Sequence, residues 1–185
     1  MTDIINILFN KVKTVISDWC DDDIYAVSFF VNSNEDYSYR GYKNVSSFSI
    51  SYNTESFCEG ADKYDEERWN YAFWSQDETM IIDPDSPDEV IDALYDWYEE
   101  NRITNIGYET EDEEPIGHNE LLNLASDVAA RLQKEGYLKY KFGKQIPIIV
   151  HGLEYTKKDI EATKKANPNN EAKDFLKAVK KEIFN

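Results

Sequence analysis

The stretch "IYAVSFFVNS", residues 24–33, decides how this chain is read. It is rich in aromatic and β-branched residues and predicts a buried strand over Ile24–Val31. Upstream, Ile4, Ile5, Leu8, Val12, Val15, Ile16 and Trp19 recur at helical spacing. They predict an amphipathic helix over residues 3–20, with Thr2 or Asp3 as its N-cap and "DDD" at 21–23 ending it. Downstream, "NSNEDYSYRGYKN" reads as a loop or turn. "VSSFSISYN", residues 45–53, then sets Ser46, Phe48, Ile50 and Tyr52 against Val45, Ser47 and Ser49. That alternation predicts a second strand with one buried face.

Further along, "WNYAFWSQ" and "ETMIID" predict a hairpin or two successive strands, turned at Gln76-Asp77. "SPDEVIDALYDWYEENRI" is the clearest helix, with Ser86 as cap, Pro87 at the first helical position and Asp88 and Glu89 at its positive end. Residues 119–133 predict another helix, stopped by Gly136. "YLKYKFG" and "IPIIVHGLEY" read as two strands, the second apolar enough to be central, with Pro147 at its start. The tail predicts two short helices broken at Asn167-Pro168. This order indicates one α+β domain over residues 1–185, a mostly antiparallel sheet packed by N-terminal, middle and C-terminal helices.

The 185 residues carry 37 acidic against 20 basic side chains, a net charge of −17, with 41% hydrophobic residues to build a core. The charge is uneven: residues 1–120 hold 29 acidic and 7 basic groups, and the remainder is mildly basic. Such a balance disfavours nucleic acid and anionic membranes as partners and favours a basic protein. The same dipolar layout predicts a monomer or weak homodimer whose association fades with salt. No signal peptide or membrane span is legible, so a cytoplasmic location with reduced Cys20 and Cys58 is expected. Neither cysteine sits in a CxxC pattern, and the seven glycines form no phosphate-binding loop, so no metal and no cofactor is expected.

Two stretches stand out as candidate sites. "GYETEDEEPIGHNE", residues 107–120, packs Glu109, Glu111, Asp112, Glu113, Glu114 and Glu120 around His118. The contiguous carboxylates, with no turn glycine among them, do not make a calcium loop. Its plain reading is a solvated linker-like loop; its functional reading is an acidic patch that steers a basic partner. Tyr37, Tyr39 and Tyr42 flank Arg40 in a polar loop where burying all three is difficult, and they are the candidate contact residues. His151, followed by Gly152 and Glu154 at the end of a strand, is the candidate pocket should the protein be an enzyme. No nucleophile motif accompanies it, so a packed, hydrogen-bonded histidine is the plainer reading and no catalytic residue is assigned.

The order of three segments, "IYAVSFFVNS" at 24–33, "RWNYAFWSQDE" at 68–78 and "PIIVHGLEYTKKDIEATKKANPN" at 147–169, resembles a bacterial family of small acidic proteins of unassigned function. Such families look like the immunity proteins encoded beside polymorphic toxins. The resemblance implies a cytoplasmic antitoxin, not an enzyme, that binds a cognate toxin domain and occludes it, with no catalytic residues to carry over. An acidic interaction module or DNA mimic is the alternative, and an enzyme using His151 and Glu154 a further one.

Overall fold

The computed structural model describes residues 2–58, 60–111 and 114–183. Helix α1 (Ile4–Ser17) opens the chain and strand β1 (Ile24–Ser33) follows. A short ribbon, β2 (Ser38–Tyr39) and β3 (Tyr42–Lys43), precedes β4 (Ser46–Thr54). Then come α2 (Glu66–Trp69), a single 3₁₀ turn (Tyr71–Phe73), β5 (Thr79–Ile82) and α3 (Glu89–Glu100). Helices α4 (His118–Lys134) and α5 (Tyr137–Phe142), strand β6 (Ile148–His151), α6 (Lys157–Ala166) and α7 (Lys173–Ile183) complete it. The strands form a mixed sheet in the order β5-β4-β1-β6, antiparallel except for the parallel β1/β6 pair. The predicted class, a single α+β domain with a mostly antiparallel sheet, is the one observed.

Each sheet face has its own chemistry. Val27, Phe29 and Val31 of β1 lie beside Tyr52, Ile50 and Phe48 of β4, and the apolar residues of this face share a core with Leu8 and Val12 of α1, Leu94 of α3, and Leu121 and Val128 of α4. The opposite face carries Ser28 and Phe30 beside Ser51 and Ser49. Alternation in β4 predicted that its polar face would be solvated, yet Ser47, Ser49, Ser51 and Asn53 are all buried, as is Ser28 of β1 beside them. The segment around Tyr71 and Glu78 covers it and supplies the missing partners. Ser49 donates to Glu78, the Ser51 and Tyr71 hydroxyls meet at 3.3 Å, and Asn53 donates to the Tyr25 hydroxyl. A buried hydroxyl is tolerated when it is hydrogen-bonded, which period-two patterning does not register.

Four local expectations are corrected. "WNYAFWSQ" is not a strand but the end of α2 and the 3₁₀ turn, held because the Trp69 and Trp74 indoles donate to the Lys63 and Arg68 carbonyls. Gln76 does have a left-handed backbone, φ 53°, but it lies in an irregular segment and no hairpin turn joins two strands there. "YLKYKFG" is helix α5: Leu138 and Phe142, four apart, turn inward while Tyr140 is 89% exposed. The cap of α3 is Asp88, not Ser86, since its carboxylate accepts from the Val90 and Ile91 amides. Finally, β6 lies at the sheet edge rather than its centre.

That edge is closed by a side chain of α6 and by the residue that caps it, Asn167. Thr163 accepts from the Val150 amide and donates to its carbonyl; Asn167 does the same for Ile148. The strand's outer backbone groups are thus satisfied without a neighbouring strand, which lets an edge be as apolar and as buried as a centre.

Candidate functional site

The acidic stretch is not a free linker. Gly107 donates to the Ile116 carbonyl, Ile116 donates to Tyr108, and Glu109 pairs with Pro115 in an isolated antiparallel bridge. The Thr110 hydroxyl donates to the Glu114 carbonyl across the tip. The result is a small hairpin between α3 and α4 that displays Glu109 and Glu111; Asp112 and Glu113 fall outside the described residues. Its base is fixed by Gly107, where φ is +83° and a Cβ would stand 1.7 Å from the Lys43 carbonyl oxygen. Only glycine allows that approach.

Beside the hairpin lies a cleft of about 630 Å³. It opens at the C-terminal ends of the parallel pair β1/β6, where α4 and α6 begin. Val31 and Leu122 supply apolar wall, Glu114 and Glu154 supply carboxylates, and Leu153 stands at the rim, 83% exposed. A shallower groove of about 400 Å³ continues between α4 and α6 past Asn119 and Lys158. Asp159 braces the cleft: one oxygen accepts from the Gly152 amide, the other from the Thr156 amide and hydroxyl, joining the end of β6 to the start of α6.

His118, the first residue of α4, is only 5% exposed yet lines this cleft. Its Nδ1 lies 2.9 Å from the Ser33 hydroxyl, 3.4 Å from Ser46 and 3.7 Å from the Glu114 carboxylate. Burial pushes the imidazole below the ordinary histidine range, against the pull of Glu114 and Asp159. The ring is therefore neutral near pH 7.

His151 is elsewhere. Its Nε2 meets the Ser28 hydroxyl at 2.8 Å and its Nδ1 donates to the Gly152 carbonyl at 2.7 Å. The rings of Phe30, Tyr71 and Tyr155 enclose it within 4.9–5.4 Å between centroids. Burial again pushes its pKa down. An enzyme built on both histidines would need them in one concavity; the cleft takes His118 and Glu154 but not His151.

The candidate tyrosines are half-buried and pack against the main core. Tyr39 donates to Asp92 at 2.6 Å and stands edge-on to Tyr95, while Arg40 binds Asp92 and Asp96 at 2.7 Å. They fasten the β2–β3 ribbon to α3, so much of their surface is already engaged. Ser33, Ser46, Asn119 and Asp159 escaped sequence reasoning. One signal was present: "TKKD" at 156–159 has the spacing of a capping box and marks a helix start directly after the β6 strand.

Among the described residues, no three histidine, cysteine or carboxylate side chains are grouped to hold a metal ion, and no helix is long and apolar enough to cross a membrane. Comparison with protein-family models, curated proteins and solved structures gives no match to this chain.

Proposed function

We propose that this chain is an immunity-type protein: it binds a basic toxin domain in the cytoplasm through its acidic hairpin and the adjoining cleft rim, and blocks it by occlusion. The observation that carries the reading is the pinned hairpin. Exposed carboxylates at Glu109 and Glu111 stand on a hydrogen-bonded base rather than a free loop, with Tyr108 68% exposed on the same hairpin. A fixed field of one sign steers an oppositely charged partner and loses little entropy on binding, and an exposed aromatic gives it an anchor. The net charge of −17 acts in the same direction at longer range.

The test is recovery of the tagged chain from its host at low and high salt, beside a variant carrying Glu109→Lys, Glu111→Lys and Glu114→Lys. The expected result is a stoichiometric basic protein held by the parent chain, released by salt and not captured by the variant. Equal capture by both forms, with no effect of salt, removes the hairpin from the interface and the proposal with it.

A further inference from the structure

We infer that the cleft beside His118 is a receptor for one cationic side chain, an arginine presented by the partner; this deepens the reading above and rests on it. The first observation is the histidine itself. His118 is nine-tenths buried and its Nδ1 is occupied by Ser33, Ser46 and Glu114, while Nε2 has no partner among the described residues. Among those residues the only fully occluded side-chain atom lacking a partner is Arg68 Nε, so Nε2 of His118 is not sealed in but reached from the cleft it lines. In the inferred state the ring proton is on Nδ1, toward Ser33 and Glu114, so Nε2 is an acceptor at the cavity wall and calls for a donor.

The second observation is which charges the cleft still has to satisfy. Two helices start here, and a helix start ordinarily attracts anions. Both are already answered by the chain's own carboxylates: Asp159 accepts from the start of α6, and Glu120 accepts from the Gly117 amide before α4. An incoming anion would meet Glu114, Glu154 and Asp159 as well. Lys157 and Lys158 stand on the first turn of α6, and Lys158 is engaged in contacts of its own. What stays open is a neutral imidazole acceptor and the Glu114 and Glu154 carboxylates above an apolar wall of Val31 and Leu122. A guanidinium on a three-carbon stem matches this: several donors in a planar fork, and methylenes for the wall.

The test needs no partner. N-acetyl-L-arginine amide is titrated into the labelled full chain and followed by NMR at the His118 ring nitrogens and the Gly152 and Leu153 amides. Its neutral isostere, N-acetyl-L-citrulline amide, and inorganic phosphate serve as comparison probes. The expected result is a saturable shift with the arginine probe at His118 Nε2, weakened about tenfold by His118→Leu or by Glu154→Gln. Glu154 is exposed, so its substitution leaves folding intact if the histidine variant does not fold. Stronger binding of phosphate, equal binding of citrulline, or no saturable shift overturns the inference. Partner capture lost on hairpin reversal, together with a silent arginine titration, would sink the receptor alone. Arginine binding without any basic partner would sink the proposed function alone.

Discussion

Two buried histidines of this protein sit at the same end of the sheet and could hardly be less alike. His151 is 1% exposed, both of its ring nitrogens are bonded, and aromatic rings close over it. His118 is 5% exposed and has one nitrogen bonded and one facing a cleft. Burial holds both neutral, so charge does not separate them. What separates them is hydrogen-bond completeness: a satisfied polar group supports the fold, and an unsatisfied one at a cavity wall can serve a ligand. The residue that looked functional in the sequence belongs to the first kind.

The contrast can be broken by experiment, most forcibly by truncation. His151→Ala removes a packed ring and orphans the Ser28 hydroxyl; it is expected to cost about 3–4 kcal/mol, whereas His118→Ala, with cleft water replacing its contacts, costs about 1. Urea denaturation of both variants checks this, and equal losses would erase the distinction between a sealed and an open site.

Next in size is Gly107→Ala. The added methyl group collides with the Lys43 carbonyl and must displace the hairpin base, for a loss of about 2–3 kcal/mol and faster hydrogen exchange of the residue-107 and Ile116 amides. Unchanged exchange would mean that the hairpin is not held by its base.

The smallest effect is in pH. Both histidines have folded pKa values below the 6.5 of the unfolded chain. Their contribution to stability is complete above that value. It is lost as pH falls beneath it, because the unfolded chain then binds protons that the folded chain refuses. The slope is at most about 1.4 kcal/mol per pH unit for each histidine. Between pH 7.5 and 5.5, His151→Gln should flatten the measured dependence more than His118→Gln, whose ring water already reaches.

Legibility followed the range of the physical signal. Helices α1, α3 and α4 were readable because their apolar residues repeat locally every three to four positions; Asp3 and Gly136 marked the ends of α1 and α4, while the cap of α3 was misplaced at Ser86. Strand β1 was readable from its composition. The site was half legible: the acidic hairpin, His118 and Glu154 stood out by chemistry, but their roles did not. Ser33 bonds His118 across 85 positions, and Ser28 bonds His151 across 123. No window of sequence contains both partners of either pair.

By itself, then, the sequence determined the α+β class, the acidic surface and the identity of the strongest local elements, since these depend on periodicity, capping and charge count. Tertiary structure alone decided that β6 is an edge and that the serine face of β4 is buried. It also decided which histidine opens to a ligand. Each of those outcomes turns on a partner group brought in from elsewhere in the chain: Thr163 and Asn167 closing an edge, Glu78 and Tyr71 receiving buried serines, Ser33 occupying one nitrogen of His118 and leaving the other without a partner among the described residues.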